Sequence, residues 1–139
     1  MTYLLVVLDT NILVSALLRS FGPSGRLLDL VLAGALQAAF DDRLMAEWRE
    51  VLHRPRFGFP PLEVDALLLT IEQTGLHVTA TITAELPDPD DAAFLEVAAT
   101  CGATLITGNV RHYPADQRLG VTVLQPRAYL DGWNARTAL

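Results

Sequence analysis

The stretch YLLVVLDTNILVSALL, Tyr3 to Leu18, decides the fold of this chain. Six apolar residues, Tyr3 to Leu8, run without alternation until Asp9-Thr10-Asn11 interrupts them. An unalternating run of that length suits a strand buried on both faces, the environment of a parallel sheet. The polar triplet suits a strand-to-helix turn, with Thr10 or Asn11 capping a helix that continues through Leu18. Such a turn aims an acid out of the carboxyl edge of a parallel sheet, where open α/β proteins bind ligands. Asp9 is either a plain cap or a functional acid, and the rest of the chain has to decide.

Outward from that stretch, strands and helices alternate. Gly22-Pro23-Ser24-Gly25 breaks the pattern, Arg26 to Ala33 reads as a helix stopped by Gly34, and Leu36 to Phe40 as a second strand. Asp41-Asp42 opens a helix to about His53, its acids placed where the helix dipole favours them. Arg54 to Pro61 is a loop, Leu62 to Thr74 a helix ending at Gly75, and His77 to Ala80 a third strand. Pro87-Asp88-Pro89 starts a helix through Thr100, closed by Gly102. Strands follow at Ala103 to Thr107 and Val121 to Leu124, then a short helix from Pro126 to Trp133. This order predicts a three-layer α/β/α sandwich around a mostly parallel sheet of four or five strands.

Composition narrows the function. The 139 residues suit one domain, 1–139, and with 51% hydrophobic and 19% charged residues the chain is not disordered. No apolar run is long enough for a bilayer, and the N-terminal one lacks the basic flank of a signal peptide. Cys101 is the lone cysteine, which excludes an internal disulfide and a cysteine-based zinc cluster, and points weakly to the cytoplasm. A net charge of −6 argues against non-specific coating of nucleic acid. All ten basic residues are arginine. Without lysine there is no Walker P-loop and no Schiff-base chemistry.

Three further acids or amides compete for attention. In the helix after Asp42, Leu44, Met45, Trp48, Val51 and Leu52 form the core stripe. At about 100° per residue Glu47 falls at the stripe's border and Glu50 nearly opposite it. Glu50 is a solvated charge; Glu47 is either a surface residue paired with Arg43 or an acid that reaches the sheet rim. In Asp88-Pro89-Asp90-Asp91, Asp88 is the natural cap and Pro89 the first helical residue. Asp91 shares a face with Phe94, Leu95 and Ala98 and so points inward, whereas Asp90 points away. After the fourth strand, Thr107-Gly108-Asn109 is either an ordinary turn or an echo of Thr10-Asn11. Asp9, Glu47, Asp91 and Asn109 can therefore meet at one edge. Two carboxylates about 4 Å apart repel by roughly 4 kcal/mol at an effective dielectric near 20. Clustered acids thus call for a cation, and all-oxygen ligands favour Mg²⁺ or Mn²⁺.

Four motifs in this order, VVLDTNILVSALL, LMAEWREVLHRPRF, DPDDAAFLEVA and LITGNVRHYP, resemble the PIN-domain family, more narrowly the toxins of toxin–antitoxin systems related to VapC. The resemblance spans Leu4 to about Leu130. It implies a Mg²⁺- or Mn²⁺-dependent endoribonuclease whose acids are Asp9, Glu47 and Asp91. Asn109 occupies a fourth position that is often Asp in the family, and its missing charge weakens a second metal site. Thr10, Asn11 and Thr107 match polar positions that orient the acids. The resemblance also implies a small antitoxin partner and a homodimer.

On this reading RNA phosphodiesters are hydrolysed with metal assistance, leaving, by resemblance, 5′-phosphate and 3′-hydroxyl ends. Arg54, Arg56, Arg111 and His112 are the candidate RNA contacts. His112 more commonly packs or caps than acts as a base. Phe57, Phe59, Trp48 and Trp133 are candidates for partner contact, with core packing an equal explanation for Trp48. A haloacid-dehalogenase-type phosphatase needs a second Asp where Asn11 stands, and a receiver domain needs a lysine. The remaining rival is a binding module that has lost activity at Asn109.

Overall fold

The computed structural model describes residues 4–137. Tyr3, the expected first strand residue, lies outside them. Strand β1 (Leu5–Leu8) is followed at once by helix α1 (Thr10–Leu18), then α2 (Pro23–Leu32), β2 (Gln37–Phe40), α3 (Asp42–Leu52) and α4 (Pro61–Thr74). Strand β3 (Leu76–His77), α5 (Ala92–Cys101), β4 (Thr104–Ile106), β5 (Val123–Leu124) and α6 (Pro126–Thr137) complete the order. The sheet runs β3-β2-β1-β4-β5, and every neighbouring pair is parallel. β1 is central, pairing Val6 with Ala38 on one side and Leu8 with Ile106 on the other. Burial on both faces accounts for its unbroken run: Val6, Val7 and Leu8 are fully enclosed.

The chain winds outward from β1 through β2 to β3, then returns across β1 to β4 and β5. The order reverses between β1 and β4, so their connections leave on opposite faces and a crevice opens at their carboxyl ends. α5 packs against β1, β2 and β4, while α1 packs on α2 and α3, and α2 on α6. The result is the expected α/β/α sandwich.

Several boundaries differ from expectation, each for a local reason. α2 starts at Pro23, where proline occupies the first helical turn after Gly22. Within it, any Cβ on Gly25 would meet the Ser20 carbonyl oxygen at 2.1 Å, so glycine is what lets α2 turn so tightly off α1. β3 is Leu76–His77 and not His77 to Ala80. Val78 still donates to the Phe40 carbonyl at 2.8 Å, but beyond it the chain turns to side chains of α5, Thr100 and Glu96. α5 begins at Ala92, preceded by a 3-10 turn at Pro89–Asp91 that Asp88 caps by accepting from the Asp90 N–H at 2.9 Å. α6 continues past Trp133 to Thr137. Among the described residues no helix is long and apolar enough to cross a membrane.

Candidate active site

Asp9 stands between β1 and α1 at the reversal of strand order. Its backbone N–H extends the sheet to the Ile106 carbonyl at 3.0 Å, while its side chain caps α1 by accepting from the Thr10 N–H at 2.8 Å. The cap is therefore Asp9 itself, not Thr10 or Asn11. Its other oxygen accepts from the Thr107 hydroxyl at 2.8 Å and the Tyr113 hydroxyl at 3.2 Å. Asp9 is only 5% exposed, and among the described residues no arginine pairs with it. Burial raises its pKa above the ordinary value, offset in part by these three hydrogen bonds.

Glu47 arrives from the border of the α3 core stripe and accepts a hydrogen bond from the Thr10 hydroxyl. Arg43, its alternative partner, instead bonds Asp41 and Glu96. Partial burial and the charges of Asp9 and Asp90 raise the Glu47 pKa. Asp91 enters from the turn before α5. Burial, then the charge of Asp9, pushes it up to about 6, with His112 opposing. Asp91 Oδ2 has no hydrogen-bond partner although it is buried; His112 Nδ1 lies 3.3 Å away, an ion pair when the imidazole is protonated. Glu47 and Asp91 thus lie close enough to Asp9 for its charge to raise both their pKa values, and Glu47 adds to the rise at Asp91.

The flanking residues sort differently. Thr107 is fully buried, bonded to Asp9 and accepting from the Asn109 N–H at 3.0 Å. Asn11 Oδ1 accepts from the Gly108 N–H at 3.0 Å, tying the two strand-end turns together. Asn109 is exposed, and among the described residues its side chain makes no hydrogen bond to the acids. Arg54, just past the end of α3, is held by Glu50 of that helix at 2.8 Å, which removes it from the free cations. Arg56 lies over the Phe57 ring, 4.7 Å from its centroid, and Arg111 is exposed. Trp48 is core, not a contact surface, while Phe57, Phe59 and Trp133 are half-buried.

Two functional neighbours escape sequence reasoning. Tyr113 is completely buried, with its hydroxyl on Asp9 and its pKa driven strongly upward by burial, so it remains a hydrogen-bond donor. Reading Arg111-His112 for charge passes over the aromatic beside them. Glu96 breaks the apolar face of α5, and that one polar residue is the only hint of its buried pairing with Arg43.

Among the described residues, no three His, Cys, Asp or Glu side chains stand arranged as a ready metal cage. The Glu47 carboxylate is turned to Thr10. A hard dication nonetheless suits the donor chemistry: all-oxygen ligands, buried carboxylates with raised pKa values, and an orphaned oxygen on Asp91.

A family model described as the PIN domain matches residues 5–111, which include all four expected acid and amide positions. No curated protein sequence matches the chain. Thirteen chains of solved structures do. One belongs to VapBC2 from Rickettsia felis bound to a DNA fragment from their promoter, with a TM-score of 0.60 and 14% identity over 88% of this chain and 98% of that one. At that identity the likeness is one of fold. The extent of the family match, from β1 to beyond Asn109, places this chain in the PIN-domain family.

Proposed function

We propose that this chain is a Mg²⁺- or Mn²⁺-dependent endoribonuclease acting at the Asp9–Glu47–Asp91 rim, the toxin of a toxin–antitoxin pair. The observation that carries the reading is the rim itself: three acids from distant segments, each with its pKa raised, the charge of Asp9 raising both of the others, and among the described residues no arginine paired with them. Family membership and the VapBC2 likeness agree with it.

Asp9 and Asp91 would hold the ion, with Glu47 as a further ligand or as the base that orients water; Asn109 can offer only a neutral carbonyl oxygen. The ion when bound supplies charge to offset the phosphate oxygens and to acidify water. The chain's own residues do the rest. Thr107, Tyr113 and the Thr10 N–H fix the Asp9 carboxylate in one orientation. Thr10 orients Glu47, and Asn11 braces the Gly108 turn. Arg111 and His112 are left to meet RNA phosphates and Arg56, over the Phe57 ring, to meet the strand, Arg54 being bound to Glu50. The antitoxin partner and the homodimer extend this reading, as does work in the cytoplasm. For protein contact, Phe21 at 98% exposure offers more apolar surface than the half-buried Phe57, Phe59 and Trp133.

A second reading, a binding module that no longer cuts, draws on neutral Asn109 and the lack of a ready cage. Incubating the chain with defined RNAs in Mg²⁺, Mn²⁺ or EDTA, followed by end-group analysis, separates the two. The nuclease reading expects metal-dependent 5′-phosphate products from the native chain and none from Asp9→Asn. Equal cleavage by that variant, or none by the native chain, sinks it.

A further inference from the structure

A groove of about 510 Å³ opens between α1 and the loop after α3, and its inner end is formed by Thr10 and Asn11, the first residues beyond Asp9. Val14, Leu18 and Val51 give it an apolar lining, and Arg19, Arg56 and Phe57 stand around them. The volume lies in the range of small-ligand sites. Three features select the occupant. First, the Phe57 ring is clamped, stacked on Phe59 at 5.4 Å and 8° with the Arg56 guanidinium 4.7 Å from its centroid. A planar exposed cation laid on a ring is a stacking platform for a base. Second, neither Arg19 nor Arg56 has an acidic partner among the described residues, although the chain carries a net charge of −6. Third, the groove is continuous with the acid rim through Thr10, whose hydroxyl bonds Glu47.

We propose that this groove is a nucleobase subsite: it takes one unpaired base of an RNA strand whose neighbouring phosphate lies at the Asp9–Asp91 rim. Arg56 on Phe57 stacks the base. Asn11, whose Oδ1 is engaged by Gly108, presents its amide nitrogen to a base edge, and Arg19 meets a flanking phosphate. The site therefore requires single-stranded RNA, because a paired base cannot leave its stack to enter. The assignment rests on the RNA reading above but concerns binding, so it is testable without cleavage. A partner protein or a second copy finds less here, since Asn11, Ser15 and two arginines interrupt the apolar lining.

The test is fluorescence anisotropy of the full chain with a labelled single-stranded RNA in EDTA, a single abasic nucleotide being moved along the strand. The native chain should lose about tenfold in affinity at one abasic position, the scale of a lost base–aromatic stack. Arg56→Ala and Phe57→Ala should weaken binding of the intact strand by a similar factor and erase that positional penalty. Arg56 is exposed, so Arg56→Ala serves where Phe57→Ala disturbs the loop. An equal positional penalty in native and variant chains overturns the subsite and leaves the nuclease reading standing. Unchanged RNA affinity with a shift in the chain's own sedimentation also overturns it, marking the groove as a self-interface. A variant-sensitive penalty in a chain that cuts no RNA upholds the subsite and sinks the nuclease.

Discussion

Two clusters of buried and part-buried carboxylates lie at the same carboxyl edge of this sheet and are treated in opposite ways. At the end of β2, Asp41 and Glu96 are 7% and 8% exposed, and both are bound by Arg43, at 2.8 and 2.7 Å. Backbone N–H groups of Leu44 and Ala84 complete their hydrogen bonding at 3.0 and 2.9 Å. At the reversal between β1 and β4, Asp9, Glu47 and Asp91 have hydroxyls, one N–H and a histidine, but among the described residues no arginine. Burial of a carboxylate without a cation is costly. The first cluster is closed by the protein's own charge and acts as a structural tie between α3, α5 and the segment before Asp88. The second is left short of positive charge, and the proposed cation site rests on that deficit.

Breaking the open cluster should give the largest effect. Asp9→Asn removes the charge but keeps the side chain's size and one acceptor oxygen for the Thr10 N–H, the Thr107 and Tyr113 hydroxyls turning to accept from the amide. RNA cleavage in Mn²⁺ should therefore fall on the order of a thousandfold or more while circular dichroism stays native. Breaking the closed cluster should instead act on stability. Arg43→Ala strands two buried carboxylates; the arginine is half exposed, so the loss in urea unfolding should be about 2 kcal/mol, less than for a fully buried pair. If Asp9→Asn destabilised the chain as much as Arg43→Ala, the contrast between the clusters would collapse.

The pH response sharpens the same contrast. Asp91 is raised from 3.8 to about 6, so between those values the folded chain keeps a proton that the unfolded chain releases. Its stabilising contribution is complete below the lower value and is lost as pH climbs through the upper one. In EDTA, Asp91→Asn should therefore melt higher than the native chain at pH 7, and that advantage should shrink steadily below pH 6 and vanish only as pH falls to 3.8. The smallest effect is expected from Tyr113→Phe. It removes one of three hydrogen bonds on Asp9, worth about 1 kcal/mol, and should lower turnover severalfold without abolishing it.

How much of this was legible beforehand depends on the range of the interactions. β1 and Asp9 are readable because an apolar run and a polar turn are local patterns. Helical phase puts Glu47 at the inner border of α3, where the Thr10 hydroxyl meets it, whereas Asp91 lies in the 3-10 turn before α5, where that phase count does not hold. Local pattern fails where distant chain decides. Arg43 is placed beside Glu47 by helical spacing, yet its partner Glu96 is 53 residues away. Tyr113 reaches Asp9 across 104 residues, and no periodicity marks it. The reading of His77 to Ala80 as a strand fails at Thr79 because α5 side chains draw the following chain off the sheet edge.

Calorimetric titration of the native chain with Mn²⁺ at pH 7 tests the charge-deficit account most directly. Saturable binding that weakens at pH 5, disappears in Asp9→Asn and survives Arg43→Ala is the predicted result. Absence of binding at millimolar Mn²⁺, or equal binding by Asp9→Asn, would contradict it.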